Sequence, residues 1–423
     1  MRIHSDGEEV RVLPTATKSM LEPPSPAGTQ PDSQRLAVTS TPSRLSLLRV
    51  ALIVAAIVFA LAGAFGVNQR ANAINDVHTA SAQLLALQDI QVRVVHADAI
   101  ASSSYLRSGQ EDPAQRTAYL DEIAKAGDGL VAVSSAANEA DIEELSQASR
   151  LLGAYVGLVE QARANNRQGF PVGATYQRQA NGIVSNTDPD TPDIVSSLRT
   201  VEASQRDQIN HSLASAHRAG LWLVLTGLLL LGLLVAASVW LSRTFRRLVN
   251  VPIAAAGVIV LLVLIFGGTT QAHSISDVDD AVDSQLSSAD SAAQARSAGF
   301  EAKSQEALTL INRGNGAANE ANWQRSNDVV TQLLGGELGS DDSLSADAHD
   351  AYTGYRDAHV EIRGLDDGGD WDGAVAASLG SEPTPNGINA VVAFDGFDES
   401  VGKIVTGEGS DASTLIGDAL SPL

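Results

Sequence analysis

Chemistry in this chain would have to come from histidines, acidic clusters or arginines. The sequence holds no cysteine, so thiolate, disulfide and cysteine-metal chemistry are excluded. Its eight histidines are His4, His78, His96, His211, His217, His273, His349 and His359. No pair forms the HExxH helix face that binds zinc, and no nucleophile elbow sets a serine beside a histidine and an acid. A Gly-Lys-Ser/Thr phosphate loop and the kinase signatures are also missing. Each histidine reads as a solvated side chain. No catalytic residue, cofactor or metal is implied, and the reading is not an enzyme.

Asp366-Asp367-Gly368-Gly369-Asp370-Trp371-Asp372 crowds carboxylates together, but without the alternating ligand spacing and distal Glu of a calcium loop. It reads as a turn between helices, with Trp371 packed onto the bundle. A different cluster lies in Tyr155 to Gly173, YVGLVEQARANNRQGFPVG. Arg163 and Arg167 fall one helical turn apart, near Tyr155 and Glu160 and before Phe170. Arginines beside aromatics anchor partners or carboxylates, so Tyr155, Arg163, Arg167 and Phe170 form a candidate extracellular partner interface, with a solvated helix end as the alternative. Arg243, Arg246 and Arg247, between two apolar runs, are candidate cytoplasmic coupling residues.

Three apolar runs position these clusters. Val50 to Val67 is uncharged, Gly220 to Leu241 carries Trp222 and Trp240 near its ends, and Val251 to Gly268 follows a short link. A helix needs roughly 20 apolar residues to cross the hydrocarbon core. The expected organisation is a disordered tail over 1–44, transmembrane helices over 45–67, 219–242 and 251–271, and an Arg-rich link over 243–250. Residues 68–218 and 272–423 form two large outward domains. Arg35, Arg44 and Arg49 join the link arginines in placing the N-terminus and link in the cytoplasm, in a multi-pass cell-membrane protein.

Charge separates the outward domains. Residues 272–423 hold 27 Asp and Glu against 7 Lys and Arg, close to the whole net charge of −22. With aromatics at only 4%, this argues against a nucleic-acid partner.

The chain also repeats itself. Phe65, Gly66, Ala71, Ile74, Asp76, Val77 and Ala80 recur as Phe266, Gly267, Ala272, Ile275, Asp277, Val278 and Ala281, all at an offset of 201. Apolar residues spaced three and four apart make both outward regions helical. The expected fold is all-α, with three transmembrane helices and two four-helix-bundle-like sensor domains related by the repeat. A second unit built like the first calls for a fourth span after Leu423.

ARANNRQGFPVG over Ala162 to Gly173, RRLVNVP over Arg246 to Pro252 and GDWDGAV over Gly369 to Val375 resemble the GlnX type of actinobacterial membrane signalling proteins. The resemblance implies a relay of amino-acid availability from an extracellular solute-binding lipoprotein to a cytoplasmic Ser/Thr kinase of the protein kinase G class. Nothing in it assigns ligand residues. The expected function is thus a transmembrane sensor, with a non-signalling accessory or scaffold subunit of a transporter or envelope complex as the alternative. Gly227 and Gly232 would permit close helix contacts and a homo-oligomer.

Overall fold

A computed structural model of the chain describes residues 41–107, 112–169, 171–245, 251–336, 338 and 343–420. Among them are eleven α-helices, one π-helical segment and no strand. The chain divides into Met1–Ile53, whose described part is the opening of the first helix, and Val54–Leu423. The expected tail lies outside the described residues up to Thr41, where that helix begins.

Helix α1 (Thr41–Leu106) is 66 residues long and α5 (Ile194–Phe245) is 52. At ~1.5 Å per residue they extend about 100 and 80 Å, far more than a ~30 Å hydrocarbon core. Both are long and apolar enough to cross a membrane, while the apolar part of α6 (Val251–Asp280), Val251–Gly267, is shorter. Leu61, Phe65, Leu229 and Phe266 are exposed along these stretches, which is compatible with a membrane protein. The stretches of α1, α5 and α6 meet at Gly227, where an added Cβ would collide with Leu264 and reach Phe59 at 2.9 Å. Gly232 faces open space.

Beyond the apolar stretches, α2 (Pro113–Ala136), α3 (Ile142–Arg167) and α4 (Val172–Val184) complete a first half with α1 and α5. The second half repeats that order: α6 leads through a π turn (Ala281–Leu286) into α7 (Ser287–Ile311), then α8 (Ala317–Gly335), α9 (Ser343–Asp367), α10 (Trp371–Ser378) and α11 (Ala390–Asp418). Caps fix the boundaries. Asp112 accepts the Ala114 amide before Pro113, and Asn389 accepts those of Val391 and Val392. Gly314, at φ 78°, stops α7 in a left-handed turn.

The two expected bundles do not keep separate interiors. One cluster joins Leu87, Ile90, Tyr155 and Leu198 of the first half to Phe300, Trp323, Tyr355 and Phe397 of the second. A second cluster, nearer the apolar stretches, joins Ile74, Val77 and Ile209 to Val278, Leu286 and Ile416.

Candidate functional site: the seam between the halves

Helix α1 runs parallel to α7, because its cross-helix bonds join residues at a nearly constant separation. The Ser102 and Ser304 hydroxyls lie 3.1 Å apart across 202 residues, and Gln91 Nε2 donates to Ser297 Oγ at 2.7 Å across 206. Asp98, 1% exposed, accepts through Oδ2 from Ser304 Oγ and from Asn181 Nδ2 on α4. The chain continues through Gln305 and Asn319 to Asn312, which accepts from Arg178 at 2.7 Å. Burial pushes the Asp98 carboxyl up, and its hydrogen bonds only partly offset this.

Two cavities flank the seam. One, of about 250 Å³, is walled by Gln88 and Gln91 of α1, Arg199, Glu202 and Arg206 of α5, and Gln294 of α7. Burial raises the Glu202 carboxyl against the pull of Arg206. The other, about 180 Å³, lies on the α11 side, where Phe300 and Phe394 meet Lys303 and Asp395. There His96 stacks on Phe300 with ring centres 4.2 Å apart, and burial lowers its imidazole.

The second half encloses a group of charges. His359 is 1% exposed, which corrects the reading of every histidine as solvated. Its Nδ1 lies 2.9 Å from Glu306 Oε2 and its Nε2 3.2 Å from Glu320 Oε2, while Trp323 stacks on its face. Burial opposes a charged imidazole, but the two carboxylates outweigh it and raise the pKa. Burial likewise opposes the Glu306 charge. Lys303 at 3.1 Å, His359 and the Ser378 hydroxyl at 2.7 Å reverse that and hold its carboxyl at about 2.

The candidate residues do not form one surface. Tyr155 is fully buried against the Asp98 carboxyl, so it cannot present itself to a partner. Arg163 folds inward, 4.1 Å over the Tyr119 ring and 3.1 Å from Glu160. Arg167 is exposed, and Phe170 lies outside the described residues. Arg243 is exposed at the end of α5, and Arg246 and Arg247 lie outside the described residues. Trp371 packs as expected: its Nε1 donates to Leu310 O at 2.8 Å, and Arg313 covers its ring. The nearby carboxylates are engaged, Asp366 and Asp367 by Arg363 and Asp370 by the Gly373 amide. Sequence reading missed Gln88, Gln91, Asp98, Glu202 and Glu306. Polar residues spaced along otherwise thin apolar seams were their only signal.

Comparison with known proteins gives one match. No curated protein and no solved structure matches the chain. Residues 73–214, which run from the part of α1 that follows its apolar stretch to the part of α5 that precedes its own, match the family model of the actinobacterial sensor domain.

Proposed function

We propose that the protein is a non-enzymatic transmembrane sensor that passes extracellular nutrient status, most specifically amino-acid availability, to a cytoplasmic Ser/Thr kinase. A solute-binding lipoprotein outside the cell delivers the signal. The helices α1, α5 and α6 cross the membrane, the N-terminus and the 243–250 link face the cytoplasm, and both halves of the seam lie outside. The observation that carries this reading is continuity: α1 and α5 run unbroken from the matched sensor domain into the apolar stretches. A shift of α1 against α7 or α5 outside therefore moves the ends of the same helices, as a piston or rotation. Arg243, Arg246 and Arg247 would report that motion to the kinase.

In-cell crosslinking of the tagged full-length protein, followed by mass spectrometry of its partners, tests the proposal. Capture of a solute-binding lipoprotein and a Ser/Thr kinase is the expected result. Capture of a permease and its ATPase instead would make the protein a scaffold. Neutralising Arg243, Arg246 and Arg247 is expected to abolish signalling at unchanged protein level and topology.

A further inference from the structure

The cavity on the α11 side of the seam has an apolar end and a donor end. At the apolar end His96 stacks on Phe300, and Phe394 meets the Phe300 ring edge-on with centres 5.2 Å apart. Burial lowers the His96 imidazole, so at neutral pH it adds no charge to the stack. Ser103 and Arg107 follow His96 on the same face of α1, two and three turns farther on, and Gln115 joins them from the first turn of α2.

These three residues present donors that the chain does not use. Ser104 Oγ donates to Gln115 Oε1 at 3.1 Å, which leaves the Gln115 amide nitrogen without an acceptor. The Ser103 hydroxyl and the Arg107 guanidinium pair with no group among the described residues. All three side chains are half-buried, yet only Arg107 Nε is closed off. Both Arg107 Nη groups, Ser103 Oγ and Gln115 Nε2 remain accessible.

The other charged groups on the walls leave Arg107 unanswered. Lys303 Nζ is held by Glu306 at 3.1 Å and by Ser378 O at 3.3 Å. Asp395 is exposed beside Phe394, at the apolar end, and the charges that act on it are those of Asp398 and Lys303. The donor end thus holds one positive charge and a set of free N–H and O–H groups, with no carboxylate to receive them.

We infer that this cavity binds a small organic carboxylate with an apolar, ring-sized body. The two oxygens of a carboxylate offer about four acceptor sites, which match the two Nη groups, the Ser103 hydroxyl and the Gln115 amide nitrogen. The body lies along Phe300 and Phe394. A neutral amide leaves the guanidinium charge unanswered, and a phosphate brings a second negative charge that the donor end does not meet. The bound ligand bridges α1 and α2 of the first half to α7 and α11 of the second. The inference stands apart from the relay, since a scaffold would hold the same ligand.

The test uses the full-length protein in lipid nanodiscs at neutral pH, with empty nanodiscs as the blank and binding followed by calorimetry and thermal shift. Sodium phenylacetate is the probe. Phenylacetamide, which keeps the ring without the charge, and sodium acetate, which keeps the charge without the ring, are compared at the same ionic strength. Saturable binding of phenylacetate, at least about tenfold tighter than either comparator, is expected. Arg107→Gln is expected to weaken it at least about tenfold, with the melting temperature of the unliganded protein unchanged because Arg107 gives up no partner in the chain. Ser103→Ala is expected to weaken it about threefold with the charge intact. An equal response to phenylacetate and phenylacetamide, acetate binding as tightly as phenylacetate, no saturable response, or wild-type affinity in both variants would overturn the inference.

Discussion

Helices α3 and α9 share a frame and differ in what they enclose. Ala148 and Ala348, Tyr155 and Tyr355, and Arg163 and Arg363 stand 200 residues apart, and the alanines and tyrosines are fully buried in both halves. Within that frame Val159 of α3 is matched by His359 of α9. The acids nearby differ accordingly. Asp98 and Glu306 are each 1% exposed, yet the first carboxyl is pushed up and the second is held at about 2. Burial disfavours charge at both. Asp98 receives only neutral donors, whereas Glu306 has Lys303 and His359. Partner charge, rather than depth, sets the ionisation of a buried acid here.

The largest test of that contrast is His359→Leu. It strips the imidazolium from between Glu306 and Glu320, and loss of one partner from a buried ionic group costs about 3 kcal/mol. Chemical denaturation of the full-length protein measures it. A loss below about 1 kcal/mol would mean that this cluster is no more ionic than the seam around Asp98.

The pH dependence follows from the same groups. The raised His359 contributes stability that is complete below the ordinary imidazole value of about 6.5 and is lost as pH rises through its folded pKa. Glu306, held at about 2, contributes above the ordinary carboxyl value of about 4.3 and loses that contribution as pH falls toward 2. The stability contributed by this pair is therefore expected to be highest between roughly pH 4.5 and 6.5. His359→Leu should flatten the alkaline side, and an unchanged alkaline slope would remove His359 as its cause.

Asp98→Asn should do less. An amide keeps an oxygen for Ser304 and Asn181 and turns a nitrogen toward the Tyr155 hydroxyl, so the expected cost is about 1 kcal/mol or less. Asp98 is pushed up, so its contribution is lost as pH rises through its folded value. The variant should remove that part of the decline. A cost equal to that of His359→Leu would erase the contrast between the halves.

The sequence made the apolar stretches, the helical class and the turn around Gly368 and Gly369 legible, because composition and glycine punctuation are local signals. The residues that recur at an offset of 201, Ile74 and Ile275 among them, lie on helices that both lead out of apolar stretches. The sequence could not disclose that α1 pairs with its own counterpart, since a thin Ala/Ser face specifies close approach without naming a partner. The π turn hid the rest of the register: it begins at Ala281, where the offset of 201 ends, and adds a residue to the helix. Beyond it Ser102 meets Ser304 at 202. His359 misled because Glu306 and Glu320 lie 53 and 39 residues away, and no local spacing joins them.

The smallest effects separate fold from recognition at the end of α3. The Arg163 side chain is 10% exposed and covers Tyr119, whereas its counterpart Arg363 ties Glu320, Asp366 and Asp367 together. Arg163→Ala removes a partly desolvated cation–π contact and the packing of the stem, for about 1 kcal/mol. Arg167 is exposed, so Arg167→Ala is expected to change stability by less than about 0.5 kcal/mol. Partner capture by both variants then decides what the pair does. Loss with Arg167→Ala at unchanged stability would make Arg167 a contact for the extracellular partner. Loss with Arg163→Ala alone, in step with lower stability, would confine the role of that arginine to holding α3 against α2.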